Sequence, residues 1–209
     1  FSMQVLLING SNHANGCTYT ALRQVADVLE AEGISTEIVQ LGAAPVRDCI
    51  ACGGCTGKGR CVFTDDCVNG IIEKAEKADG FVFGTPVYYA HSSGRLLSVL
   101  DRAFYAGGAA FAHKPGFAVA SARRAGTTAS LDAVMKHFTI NQMPVVSSTY
   151  WNMVHGNTPE EVLQDEEGLQ TMRNAARNMA WLLKCIAAGK EQGILAPEAE
   201  RGKRTNFIR

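Results

Sequence analysis

The sequence predicts an α/β fold in which five parallel strands form a doubly wound sheet with helices on both faces. Short apolar runs alternate along the chain with segments whose apolar residues recur at helical spacing. Five strand candidates separated by helices describe a βαβ array, and right-handed crossovers put helices on both sides of such a sheet. Because no repeat or low-complexity linker divides the pattern, we predict one domain over residues 3–189. Residues 190–209 then form a charged tail that is either loose or packed on a partner subunit.

The predicted strands are short apolar or alternating runs that end at a turn signal. They span residues 4–10, 35–41, 80–86, 116–121 and 144–151. The second run alternates between apolar and polar residues, whereas the third is apolar throughout and is stopped by Gly84 and Pro86. The third run is therefore predicted to be a fully buried strand.

Each predicted helix carries apolar residues at intervals of three and four, which gives it one buried face. The five faces comprise Leu22, Val25, Ala26 and Leu29; Val68, Ile71, Ile72 and Ala75; Leu97, Leu100 and Phe104; Leu131, Val134, Met135 and Phe138; and Leu169, Met172, Ala176, Met179, Leu183 and Ile186. We expect Cys67 and Cys185, which lie on two of these patterns, to be small buried side chains. Asp101 and Arg102 are expected to cap or bridge the end of the third helix.

The overall charge argues against nucleic acid as a partner. Lysine and arginine number 20, as do aspartate and glutamate, so the chain has no net positive field. No apolar run approaches the length of a membrane span, and the amino-terminal residues lack the pattern of a signal peptide. We therefore expect a cytoplasmic protein whose partners are small molecules and other protein chains, with no nucleic acid and no membrane.

Three loops that follow predicted strands carry the functional signals, because ligands of open parallel sheets bind at the carboxyl ends of the strands. The first loop, GSNHANGCT over residues 10–18, leaves a strand and opens a helix. Its backbone N–H groups and the helix dipole favour an anion such as phosphate. The alternative is a tight strand-to-helix turn that only caps the helix. The pattern is neither a Walker loop nor the dinucleotide-binding turn.

The second and third loops suit a flat conjugated ring. The second, residues 84–94, offers Tyr88, Tyr89 and His91, which combine π faces with polar tips. The third, residues 121–130, contains small residues that permit close backbone approach and an arginine pair that could offset negative charge. Ordinary packing of the tyrosines and solvent exposure of the arginines are the alternatives. One mononucleotide could contact all three loops.

Taken in order, these segments resemble the flavodoxin-like NADPH-dependent FMN reductase family. The resemblance runs from Val5 to about Gly156 and is carried by LLINGSNHANGCT, ADGFVFGTPVYYAHSSGRLLSVLDR and KPGFAVASARRAGTT. It implies FMN as cofactor, NAD(P)H as electron donor and a homodimer or tetramer. The FMN-binding residues that it implies are Ser11, His13, Asn15, Gly16, Cys17 and Thr18 for the phosphate, Pro86, Val87, Tyr88, Tyr89, Ala90 and His91 along the ring, and Ser121, Ala122, Arg123 and Gly126 at its pyrimidine end. His13 departs from the family pattern, where arginine is common.

Four of the seven cysteines form a compact motif of their own. Cys49, Cys52, Cys55 and Cys61 give the spacing C-x2-C-x2-C-x5-C. This spacing lets one loop wrap a cluster, and it resembles the iron–sulfur flavoprotein branch of the same superfamily, in which four cysteines bind a [4Fe-4S] cluster. Zinc and a purely structural loop stay open as alternatives. Disulfides are disfavoured by an odd cysteine count in a reducing compartment.

The function that follows is FMN-dependent NAD(P)H oxidoreduction of a small acceptor, such as a quinone, a nitro compound or a flavin, by alternating hydride transfer. The alternative is an iron–sulfur flavoprotein that transfers electrons through FMN and a [4Fe-4S] cluster. A flavin-free scaffold with a zinc or redox-sensing loop is a third possibility. We name no catalytic side chain, because the flavin itself accepts the hydride and the protein supplies orientation and electrostatics.

Overall fold

The computed structural model describes residues 2–205 and 207 and has the predicted α/β architecture. Its strands are β1 (Gln4–Asn9), β2 (Ser35–Gln40), β3 (Gly80–Tyr88), β4 (His91–Ser92), β5 (Gly116–Ala122) and β6 (Met153–His155). Five of them run parallel in the order β2-β1-β3-β5-β6, and the two-residue β4 pairs antiparallel with the end of β3. The predicted five-stranded parallel sheet is thus confirmed.

Helices cover both faces of this sheet, as predicted. They are α1 (Cys17–Ala31), α2 (Val68–Lys77), α3 (Gly94–Gly107), α4 (Thr127–Ile140), α5 (Pro159–Val162) and α6 (Glu166–Glu191). Helices α1 and α6 pack on one face, and α2, α3 and α4 pack on the other. Alternate residues of each central strand therefore enter different cores: Val5 and Leu7 of β1 face α1 and α6, whereas Leu6 and Ile8 face α2 and α3.

The last predicted strand was wrong in its position. Of residues 144–151, only Val145 forms an isolated bridge, to Gly116 at the start of β5, and β6 begins at Met153 instead. Val146 is buried, but the following residues are polar, and Ser148 donates a hydrogen bond to a carbonyl of α6. The chain therefore leaves the sheet after Val146 and returns only to pair with the carboxyl end of β5.

Two further expectations need correction or comment. Cys185 is exposed on α6, and Cys67 is only half-buried at the start of α2, so neither is the fully buried small residue that we expected. The predicted tail begins inside the last turn of α6, which ends at Glu191. Asn206, Ile208 and Arg209 of that tail lie outside the described residues. No helix in the described part of the chain is long and apolar enough to cross a membrane.

Candidate functional site

The strand order creates a crevice at the carboxyl edge of the sheet. From β1 the chain first moves outward to β2 and then returns to the other side of β1 to form β3. The loops after β1 and β3 consequently diverge at this point, which is where open α/β sheets bind ligands. The loop after β5 lies beside them, because β5 pairs with β3. The three predicted loops therefore share one edge of the fold.

The first loop presents a row of free backbone donors. Within the described residues, the N–H groups of residues 14–19 have no hydrogen-bond partner. Helix α1 starts inside this row: its N-cap, Gly16, provides no side-chain cap, and the first turn contains no acidic residue. The positive end of the helix dipole is therefore uncompensated, which favours an anion. His13 and Asn15 are exposed at the rim of this loop.

Hydrogen bonds hold the first loop against its neighbours. The Gly10 N–H donates to the Gly84 carbonyl at 2.8 Å, and an added Cβ at Gly10 would meet that same oxygen at 2.8 Å. The Tyr88 hydroxyl donates to the Asn12 side-chain carbonyl and lies 3.4 Å from the Ser11 hydroxyl. The ends of β1 and β3 are thereby joined across the crevice.

The second loop turns sharply beyond β3 and exposes its aromatic rings. Pro86 is buried, Val87 is half-buried, and Tyr89 is fully exposed with a positive φ of 58°. Ala90 and His91 are exposed as well. A flat ligand could thus approach backbone and tyrosine faces without displacing core side chains.

The third loop reaches back to the first through a buried contact. The hydroxyls of Ser121 and Thr18 lie 2.7 Å apart, and both residues are buried. Gly126 has a φ of 93°, and a Cβ there would meet Val87 Cγ1 at 2.7 Å and the Ala90 carbonyl oxygen at 3.1 Å. The third loop therefore touches the second at a position that only glycine occupies without strain.

Three other predicted site residues lie at this edge: Ala122, Arg123 and Cys17. Ala122 is buried and its carbonyl accepts from the Gly156 N–H, whereas Arg123 is exposed. The Cys17 thiol lies 3.6 Å from the Gly156 carbonyl oxygen, and burial, followed by the negative charge of Glu161 and Glu160, raises its pKa. This thiol therefore stays protonated at neutral pH.

The four motif cysteines line one cavity. Cys49, Cys52, Cys55 and Cys61 are free thiols on an irregular segment that leaves the carboxyl end of β2 and packs over α3. The cavity wall is completed by apolar side chains that include Ile50 and Val62. In residues 2–205 and 207, no three His, Cys, Asp or Glu side chains are close enough together to hold a single metal ion. The four thiols are therefore spread around the cavity wall.

Arg102 also lines this cavity, and the expectation that it caps or bridges the end of its helix was wrong, because it lies in the middle of α3. Its guanidinium Nε and Nη2 atoms both lie 3.4 Å from Cys61 Sγ, and its Nη1 forms an ion pair with Asp66. Burial works against the charged form, but the hydrogen bonds to Asp66 and Cys61 outweigh it and raise the pKa of Arg102. Helical spacing did not signal this position, because the apolar face that it predicted for this helix, Leu97, Leu100 and Phe104, does not include residue 102.

A family model described as NADPH-dependent FMN reductase matches residues 3–158. The chain belongs to that family. As a member of the NADPH-dependent FMN reductase family, it is an NAD(P)H-dependent oxidoreductase that uses FMN. The flavodoxin-like fold and the family predicted from the sequence are both confirmed.

One similar protein was found by sequence, and two solved structures have a similar fold. An iron–sulfur flavoprotein of Methanocaldococcus jannaschii is 32% identical over 192 residues, which cover 88% of this chain and 99% of that protein. An NAD(P)H:quinone oxidoreductase from Methanothermobacter marburgensis has a similar fold, with a TM-score of 0.65 at 17% identity over 86% of this chain and 98% of that one. A flavodoxin from the domain Archaea gives a TM-score of 0.59 at 12% identity over 87% and 99% of the two chains.

Proposed function

We propose that the FMN of this reductase binds at the carboxyl edge of the sheet, with its phosphate on the first loop and its ring between the second and third. The free N–H groups of residues 14–19 support the phosphate position, because they fit an anion and have no partner of their own. Thr18 and Ser121, joined by their hydroxyls, would hold the phosphate loop at a set distance from the ring loop.

The chain's own residues orient the cofactor and shape access to it. When bound, FMN accepts hydride from NAD(P)H and passes the electrons on, so no side chain has to act as acid or base in that step. Tyr88 is tied to the first loop through Asn12, which holds the second loop in place. Gly126 permits the close approach of the third loop to Val87 and Ala90.

We propose further that Cys49, Cys52, Cys55 and Cys61 hold a [4Fe-4S] cluster, so that the protein passes electrons singly to a partner. The observation that carries this proposal is that all four thiols line one cavity. The 32% identical relative is named an iron–sulfur flavoprotein, which supports the same conclusion. Gln40, the last residue of β2, hydrogen-bonds Asn9 and the Ser11 carbonyl, so the start of the cysteine segment adjoins the phosphate loop.

Reduction of a small acceptor, such as a quinone, a nitro compound or a flavin, is the second candidate function. Tyr88 and Tyr89 favour it, because their exposed rings leave the ring side of the crevice accessible to a flat molecule. In this case NAD(P)H and the acceptor would use the same site in turn, and the cysteine segment would serve only as structure.

The oligomeric state and location are also proposals. We propose a homodimer or tetramer, with residues 3–189 as its domain and the tail on a partner subunit. Trp181 on α6 and Ile194 and Leu195 beyond it are large, apolar and exposed, as residues of a subunit interface are before assembly. Seven free thiols fit a reducing compartment, which supports the cytoplasm.

The test is an absorption spectrum of protein purified without oxygen, taken before and after dithionite, with iron and acid-labile sulfide assayed on the same sample. We expect FMN together with about four iron and four sulfide per chain, as a four-cysteine cluster requires. Cys55→Ser should lose most of the iron and keep FMN. Cys185→Ser, an exposed cysteine on α6, is the matched control and should resemble the wild type.

Two results would contradict the cluster or one of its ligands. Wild-type protein with FMN but no iron or sulfide would leave the cysteine segment structural and favour the second candidate function. Equal iron content in Cys55→Ser and the wild type would exclude that thiol as a ligand. Protein that fails to bind FMN at all would contradict the proposed flavin site instead.

A further inference from the structure

Arg102 is a buried arginine in the middle of α3, and its guanidinium is surrounded by the cysteine segment. The side chain is 1% exposed. Apart from its ion pair with Asp66, it donates to the Arg47 carbonyl at 3.1 Å and to the Phe63 carbonyl at 3.4 Å. The two remaining contacts go to a single sulfur, Cys61 Sγ. A buried arginine needs partners for its donors, and here a thiol supplies one of them.

Cys61 is also held by its backbone, through a side chain of α2. The Asn69 side chain on α2 accepts from the Cys61 N–H at 2.8 Å and donates to the Cys61 carbonyl at 2.9 Å. Between residues 51 and 59 the backbone instead adopts positive φ at four positions, three of them glycine, in local turns. Cys52 and Cys55 sit within that stretch. Helices α2 and α3 therefore anchor Cys61 at both backbone and sulfur, whereas the one contact between Cys55 Sγ and α3 is the weak one to the Tyr105 carbonyl at 4.0 Å.

We propose that Arg102 is a positioning residue for the iron–sulfur site: it holds Cys61 Sγ at the cavity wall and raises the reduction potential of the cluster bound there. This inference rests on the cluster assigned under the proposed function. Hydrogen bonds to ligand sulfur and nearby positive charge both favour the reduced, more negative cluster, so each raises its potential. Asp66 opposes this effect because its carboxylate partly offsets the guanidinium charge.

Substitutions of Arg102 and of Asp66 should shift the reduction potential of the cluster in opposite directions. Arg102→Met removes both donors to sulfur and leaves Asp66 uncompensated, so the cluster potential should become more negative. Arg102→Lys keeps the positive charge but lacks the planar guanidinium that reaches Asp66, a carbonyl and Cys61 together. It should therefore also make the potential more negative, but by less than Arg102→Met does. Asp66→Asn leaves the guanidinium charge uncompensated and should make the potential more positive.

Arg60→Met is the matched control, because it removes an arginine from the same segment without touching a cysteine. Its side chain is exposed and paired with Glu73 at 3.1 Å. All variants are purified without oxygen and compared with the wild type by iron and sulfide content, thermal unfolding and a spectroscopic redox titration. Arg60→Met should keep the wild-type potential and iron content.

The outcomes separate this inference from the proposed function. Wild-type protein without iron and sulfide overturns the cluster and this inference with it. A wild-type cluster whose potential is the same in Arg102→Lys, Asp66→Asn and Arg60→Met overturns the role of Arg102 alone. Should Arg102→Met fail to fold, the opposite shifts in Arg102→Lys and Asp66→Asn still test the role. A purely structural arginine would lower the unfolding temperature in these two variants and leave the potential unchanged.

Discussion

Gly126→Ala should weaken both the fold and FMN binding, because two separate costs meet at this residue. A φ of 93° costs an L-residue about 1–2 kcal/mol relative to glycine. The new Cβ would also meet Val87 Cγ1 at 2.7 Å and the Ala90 carbonyl oxygen at 3.1 Å. Overpacking of this kind typically adds about 1–3 kcal/mol. The free energy of unfolding should therefore fall by about 2–5 kcal/mol, and the second loop should move.

Gly33→Ala separates the two costs. Gly33 has a φ of 81° just beyond α1, but a Cβ there would meet nothing within 4 Å. This variant should lose only the backbone cost, about 1–2 kcal/mol, and bind FMN normally. In Gly126→Ala the displaced second loop should also bind the flavin less well. If this weakens FMN binding by about 1.4 kcal/mol, the FMN Kd rises about tenfold.

The assay is urea unfolding of the flavin-free proteins together with FMN titration followed by flavin fluorescence. The reasoning is refuted if Gly126→Ala loses no more stability than Gly33→Ala and binds FMN with the wild-type Kd. In that case the contact of the third loop with Val87 would not define the ring site. A stability loss without a change in Kd would limit the role of Gly126 to folding.

Two other predictions concern regions away from the crevice. Burial lowers the pKa of Lys114, whose Nζ donates to the Ala75 carbonyl at 2.7 Å, so the folded protein binds this proton less tightly than the unfolded chain does. The free energy of unfolding should therefore increase as the pH rises from the lowered pKa of Lys114 toward about 10.4, the ordinary pKa of lysine in the unfolded chain. Lys114→Met should reduce this increase when urea unfolding is measured between pH 8 and pH 10. The prediction is contradicted if the pH dependence of the unfolding free energy is unchanged, or if the exposed control Lys77→Met reduces it equally. Trp181→Arg on α6 should shift the protein toward monomer in sedimentation velocity, and an unchanged sedimentation coefficient would exclude that face as the subunit interface.

The sequence predicted the crevice better than it predicted what surrounds the cysteines. Thr18 and Ser121 lie far apart in the chain, yet strand order alone brings their loops to one edge, and a hydroxyl contact joins them. The last strand was misplaced because Val145 and Val146 suit a strand, whereas only the polar residues that follow reveal that the chain leaves the sheet. Arg102 was missed because helical spacing identifies a buried face but not which distant loop covers it.

Residues 41–67 form a long connection without regular secondary structure, and such loops in compact domains usually have a function. Three helix side chains hold this one: Arg95 donates to the carbonyls of Ala43 and Ala44, Asn69 holds the Cys61 backbone, and Arg102 holds Cys61 Sγ. Both ends are thus fastened, whereas the turns around Cys52 and Cys55 lie between them. The cluster that we propose would need its ligand sulfurs held in place, and Arg102 is the buried side chain that fixes one of them, Cys61 Sγ, from α3.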